Sequence, residues 1–444
     1  MPASSVSAAL SRGILVMIGA TAMGVVVAAV LMAFGLIEHG PMVGRPGPPT
    51  PEDARHAYGV ARTLEQIAGA PDRSGTLHTS VAELNGLLRI LSRSTGETRF
   101  AAAVEADRLV LRGSLRLPGL DRLGWVNVIA VVPPFEGSPQ LDALRVGRFD
   151  LPPEAGLRAL VWMLDRRIAT GAGGDALQLP QRLTIEGERV GLDITLPDRS
   201  HRDLTRDAMA GLHGRDMPSR AQVADAIAFL VREADAGRLP RRGSYAPWLQ
   251  AAIARVGEAD GADADEALLA AFLALNYLCG SRHFVHTLLP PAEGRDRAMP
   301  AVGAGCGETG LRGRVDLRRH FTTAATLKLI SNRRTAITAG EAKELFDMLG
   351  DGFDFTDVAA NNSGIRLAQR LDGARPQELR EIAARIGSED DVMIDLAGIP
   401  RIMNRTAFRM RYGDVDSPAY RAVIAEIEAR IDRLPVHAGP AEGG

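Results

Sequence analysis

Lysine is almost missing from this chain. Only Lys328 and Lys343 occur among 52 basic residues, so nearly every fixed cation is an arginine. Cysteine is equally scarce, with Cys279 and Cys306 alone, which excludes a disulfide-dense scaffold. Aromatic residues make up 5% and leave little for base-stacking platforms. No excess charge of either sign exists: the net is −2 and no basic run stands out, so a general nucleic-acid binder is not expected. Also absent are G-x-S-x-G, a Walker A loop and H-E-x-x-H. No metal or cofactor is expected from motifs.

One long apolar run is present. Gly13 to Ile37 carries no charge, and about 20 such residues span a bilayer core. It exceeds the apolar core of a cleaved signal peptide, the alternative, and no small-x-small cleavage site follows it. A retained single-pass anchor in the inner membrane of a bacterium is expected. Ala20, Gly24 and Ala28 form a small-residue stripe that either packs two anchors together or simply fills the helix. The short tail before the span and the long chain after it favour an N-terminus inside and a periplasmic body. His39 to Asp53 is rich in proline and glycine and reads as a stiff linker off the membrane.

The remainder predicts an α+β chain: an N-terminal transmembrane helix, a small β-containing domain, then a mainly α-helical domain. The boundaries are 1–38 for the anchor, 39–53 for the linker, 54–200 for the α+β domain with an antiparallel sheet, 201–435 for the helical domain and 436–444 for a disordered tail. Helices are expected over Pro51–Ala70 and Ser80–Leu91, the latter opened by a Ser80/Glu83 capping box. Alternating runs over Arg99–Glu105, Arg108–Leu117, Gly124–Val132, Gln140–Phe149 and Gln181–Leu196 predict strands, interrupted by a helix over Pro153–Ile168. Helices follow over Asp203–Leu212, Ser219–Ala236, Ala246–Val256 and Ala264–Leu278, then a short strand over Arg282–Leu289 and a loop over Pro290–Gly313. Cys279, His283, His286 and Cys306 carry zinc-competent side chains at a spacing that matches no standard module; a disulfide and two unlinked thiols are the other options.

Both lysines fall in one block, His320 to Gly364. Leu317–Ser331 is a largely apolar helix with His320, Ala324 and Lys328 on one stripe. A buried lysine needs a carboxylate or several acceptors. Thr338 to Glu341 reads as a capping box opening the next helix, with Glu341 as the cap. On that helix Ala339, Ala342, Leu345, Phe346 and Leu349 share one arc; Glu341, Lys343, Glu344 and Asp347 share the opposite one, where Lys343 and Asp347 form an i, i+4 pair. After a Gly350–Gly352 turn, Asp354 or Thr356 caps a third helix whose Asp357, Asn361, Gly364 and Ala368 form a stripe of small and polar residues. A polar network across three packed helices is expected, with His320 and Lys328 as donors and Asp357 or Asn361 as the partner of His320.

Two passages resemble known families. Leu144 to Pro152 is similar to the strand–Gly–strand–Leu-Pro–helix passage of membrane-anchored envelope proteins with tubular lipid-binding folds. His320-Phe321, Gly340 to Glu344, Asp347, Phe353-x-Phe355-x-Asp357-x-Ala359-Ala360 and Gly364 resemble the YfiM-type block of bacterial envelope proteins and, more distantly, the VanZ-like pattern. The resemblance implies an envelope location and an anchored architecture, with the block within 317–370, and implies no activity. The chain departs from the pattern at Ala324, where a serine is expected, and at Asn361–Ser363, where an acidic-basic pair is expected. Two functions follow. One is a non-enzymatic envelope protein that binds a lipid or protein partner. The other is an envelope hydrolase or transferase using His320 with Glu341, Lys343, Glu344, Asp347 or Asp357.

Overall fold

A computed structural model describes residues 35–96, 98–116, 124–167, 171–197, 217–258, 264–289 and 305–438. The expected span at 13–37 and the expected helix at 203–212 lie wholly or mostly outside these residues. Among the described residues no helix is long and apolar enough to cross a membrane.

Helix α1 (Pro51–Gly69) begins where Thr50 accepts the Asp53 amide and Asp53 answers in turn, with Pro51 fixing the first turn. Strand β1 (Ser74–Ser80) runs into α2 (Val81–Thr95), opened by the Ser80/Glu83 capping box. An antiparallel meander comes next: β2 (Arg99–Glu105), β3 (Arg108–Leu115) and β4 (Val126–Val132). After β5 (Phe135–Glu136) come β6 (Ala143–Val146) and β7 (Phe149–Leu151). Helices α3 (Pro153–Arg167) and α4 (Ala172–Gln178) precede the hairpin β8 (Pro180–Glu186) and β9 (Arg189–Thr195). Two antiparallel sheets result, ordered β2-β3-β4-β6-β7 and β1-β9-β8-β5. Ala102, Leu109, Phe135, Leu183 and Val190 form their shared core, against which Leu84 and Leu88 of α2 pack. The Leu144–Pro152 passage is β6, a tight turn at Gly147 with φ +58°, β7 and the start of α3.

The proline-rich segment does not stand off as a free spacer. Glu38 pairs with Trp125 in a β-bridge. The Met42 amide donates to Asn127 Oδ1 at 3.0 Å and the Val43 amide to Ser114 Oγ at 3.0 Å. Buried Ser114 and Asn127 sit on the outer face of the meander and need these partners, so the segment is pinned onto the sheet.

The second part is helical: α5 (Arg220–Asp235), α6 (Ala246–Glu258), α7 (Ala264–Cys279), α8 (Arg282–Leu288), α9 (Val315–Ile330), α10 (Arg333–Asp347), α11 (Phe355–Leu371), α12 (Pro376–Ala384), α13 (Arg405–Tyr412) and α14 (Pro418–Ile431). A short parallel pair joins β10 (Arg242–Ser244) to β11 (Glu308–Gly310). Helix α7 is buried from Leu268 to Cys279, which is why it is apolar on all sides. The expected stripe Val223, Ala226, Ile227 and Leu230 is buried in the same core. Phe353, Phe355, Phe408, Tyr412 and Tyr420 cluster at the other end.

Several expectations are corrected. Arg282–Leu289 is helix rather than strand, because Asn276 Oδ1 takes the Ser281 amide and Ser281 then caps α8. Cys279 and Cys306 form a disulfide, so neither unlinked thiols nor a zinc array exists there. His283 instead faces Glu65 at 3.0 Å, and His286 packs edge-on against Tyr277. The tail expected over 436–444 is partly ordered: Val436 is buried in a short 3-10 turn over Pro435–His437, and 439–444 lie outside the described residues. Across the expected boundary at 200, α1 and α2 pack directly on α10.

Candidate functional site

Helices α9 and α11 approach closely because Gly364 permits it. A Cβ there would lie 2.2 Å from the Phe321 carbonyl oxygen, so any side chain would push the helices apart. This contact places His320 of α9 opposite Asp357 and Asn361, one turn apart on α11. His320 Nε2 lies 3.0 Å from Asp357 Oδ2, and Nδ1 lies 3.2 Å from Asn361 Oδ1. The expected pairing of His320 with this stripe is thus present with both residues rather than one.

Helix α10 supplies the third side. Glu344 is fully buried and directs Oε1 towards His320 Nδ1 at 3.9 Å. Its other oxygen accepts the Asp354 amide at 3.3 Å, while Oε1 has no hydrogen-bond partner among the described residues. Asp354 also caps α11 by accepting the Thr356 amide. Lys343 sits 3.8 Å from Glu344 Oε1 and forms its ion pair with Asp347, nearer solvent. Arg314 closes the far side, reaching Asp316 at 2.5 Å, Asp357 at 3.0 Å and Asp354 at 3.3 Å. His320, Glu344 and Asp357 each offer one ligand-type atom, all within 4.8 Å of one another.

The electrostatics follow from burial. Burial pushes the Glu344 carboxyl up to about 7, although Lys343 and His320 oppose the rise. Burial alone would lower the His320 imidazole, but the hydrogen bond and charge of Asp357 outweigh it and the net direction is upward. For Lys343, burial is likewise outweighed by Glu344 and Asp347, so its ammonium is held more firmly than usual. The arrangement combines a carboxylate-oriented imidazole with a carboxyl poised near neutrality, a pair suited to moving protons or holding a cation.

Two candidates lie elsewhere. Lys328 is buried and ion-paired to Asp372 beyond the end of α11, two turns from His320, so it is not a donor to the network. Glu341 does not cap a helix. Helix α10 starts at Asn332, whose side chain accepts the Thr335 amide, and Thr338–Glu341 fall in its middle. Glu341 points away from His320, towards α2, where Arg93 binds it at 2.6 Å and the Tyr420 hydroxyl donates to it at 3.1 Å. The acidic arc of α10 is therefore not a solvated face: Glu341 and Glu344 are buried, while Ala339 and Leu349 of the apolar arc are exposed.

That interface borders a cleft of about 860 Å3 between the β-containing part and α10, a feature not expected from the sequence. Among the described residues seven arginines line it (45, 89, 93, 99, 116, 333 and 334), together with two carboxylates, Glu341 and Asp416. Arg93 is committed to those two acids, Arg89 to Asp53 and Arg333 to Glu428. Arg99 and Arg116 lie over the Trp125 ring at 4.6 and 4.9 Å. Arg45 and Arg334 are exposed on the wall. Arg89 and Arg93, at i, i+4 on α2, were the legible trace of this surface.

Compared with known proteins, no family model, no curated protein and no solved structure matches this chain.

Proposed function

We propose that the chain is a single-pass, membrane-anchored cell-envelope protein that binds an anionic ligand, a phosphate-bearing lipid headgroup, in the arginine-lined cleft. One observation carries this reading: among the described residues seven arginines line one large cleft, and only Arg89, Arg93 and Arg333 of them form the ion pairs named above, with Asp53, Glu341, Asp416 and Glu428. Arginine's planar fork suits phosphate oxygens and stays charged at any physiological pH. Three supports are independent of the cleft. The uncharged run at 13–37 has the length of a span. The Cys279–Cys306 disulfide suits an oxidising, exported compartment. The likeness of the 320–364 block to YfiM-type envelope proteins points to the same place.

The enzyme reading draws on the His320–Asp357 pair and the raised Glu344 carboxyl. It is the weaker of the two. The side chains of His320, Glu344 and Asp357 are only 9%, 1% and 13% exposed, which leaves a substrate little access.

The test is calorimetric titration of the full chain in neutral detergent with dihexanoyl phosphatidic acid and, separately, dihexanoyl phosphatidylcholine. Saturable binding of the anionic lipid, weakened in the Arg45→Ala/Arg334→Ala double variant, is expected. Equal binding of both lipids, or an unchanged affinity in that variant, would overturn the reading.

A further inference from the structure

The geometry points to a divalent transition-metal site formed by His320, Glu344 and Asp357. Three observations converge on it. First, three ligand-type atoms from three different helices lie within 4.8 Å of one another, close to the spread that a single ion closes by small side-chain movements. Second, Glu344 Oε1 is buried without a hydrogen-bond partner among the described residues and faces the imidazole. A buried carboxylate oxygen left in this state is costly unless something positive meets it. Its sister oxygen is held by the Asp354 amide, so the free oxygen is aimed rather than loose, as outer hydrogen bonds do for metal ligands.

Third, the charge does not balance. Among the described residues the carboxylates of Asp316, Asp354, Asp357 and Asp347 face two permanent cations, Arg314 and Lys343, while His320 and Glu344 between them add at most one charge of either sign. Arg314 is spread over three of them, and Lys343 is drawn outward to Asp347. A divalent ion next to Glu344 would offset most of the excess.

One imidazole with carboxylate oxygens suits Zn2+ first and Mn2+ second. Asn361 Oδ1, 3.2 Å from His320 Nδ1, is a further oxygen within reach. Lys343 is the competitor: its ammonium stands 3.8 Å from the free oxygen and is partly exposed, so it can swing away. The site shares no residue with the lining of the arginine cleft, so it is tested separately from lipid binding.

The experiment uses the full chain in detergent, stripped with EDTA, freed of any affinity tag and dialysed against ZnCl2 or MnCl2, with bound metal measured by mass spectrometry. One equivalent of Zn2+ is expected. Glu344→Gln and Asp357→Asn should each weaken binding by at least about tenfold, with folding verified by circular dichroism. Lys343→Ala alters a partly exposed position and should tighten binding several-fold, which decides the matter even where a carboxylate variant misfolds. No metal retained by the wild type, undiminished binding in folded Glu344→Gln, or weaker binding in Lys343→Ala would each overturn the site.

Discussion

Replacing Glu344 by glutamine in the metal-free protein should change how stability depends on pH. The carboxyl titrates near 4.5 in an unfolded chain and at about 7 in the fold, raised chiefly by burial. At roughly 1.4 kcal/mol per unit, ionising Glu344 inside the fold costs about 3 kcal/mol relative to the unfolded chain. Between these pH values the native state holds a proton that the unfolded state has released. Stability is therefore fully present below 4.5, falls as the pH rises through 7, and levels off above it. Glutamine cannot ionise and removes that fall. His437 confuses the wild-type curve taken alone: burial and then Arg366 lower its imidazole to about 4, so between 6.5 and 4 it destabilises the fold as the pH drops, the opposite slope. The difference between wild type and variant cancels the His437 contribution and reports the titration of Glu344 together with the His320 imidazole that faces it. Urea unfolding followed by circular dichroism in EDTA, at steps from pH 4.5 to 8, gives that difference. The variant should gain about 2–3 kcal/mol on the wild type across the window. Parallel curves would refute the burial of an ionisable Glu344.

Other expectations follow from packing. Gly364→Ala should cost about 1–3 kcal/mol or more in urea, because its methyl group meets the Phe321 carbonyl; unchanged stability would mean that the two helices sit further apart. Glu341→Ala should destabilise by about 1–3 kcal/mol, since the buried Tyr420 hydroxyl loses its acceptor and Arg93 keeps Asp416 alone; a thermal melt unchanged within error would contradict that network. Replacing both Cys279 and Cys306 by serine should cost about 3–4 kcal/mol for the loop they close, and reduction of the wild type should reproduce the loss.

The contact of His320 with Asp357 and Asn361 was legible because helical spacing alone aligns a small, polar stripe with a histidine on an otherwise apolar helix. Glu341 and Glu344 were misread for two physical reasons. Thr338–Glu341 is a plausible cap in isolation, but Asn332, directly after α9, starts the helix earlier. An amphipathic arc also assumes a single buried face, whereas α10 is covered by α9 and α11 on one side and by α1 and α2 on another. Helices α1 and α2 come from residues far away in the chain, which no local pattern encodes. The same holds for the cleft, assembled from residues 45 to 416, and for Lys328, whose partner Asp372 lies past the stripe expected to receive it. The Ser80/Glu83 box and the core stripe of α5 were legible because neighbours in sequence suffice to make them.

The scarcity of lysine has a use at the bench. Of the two side-chain amines in the whole chain, that of Lys328 is shut in by its ion pair with Asp372, while that of Lys343 is partly open at the rim of the His320 cluster. A mild amine-reactive reagent applied to the folded protein thus has one lysine within reach. The extent of acylation at that position, read by peptide mass, reports on the cluster without any engineered label. Lysine-directed cross-linkers, by contrast, will be nearly blind to this protein's neighbours, and carboxylate- or arginine-directed chemistry is the means to capture them.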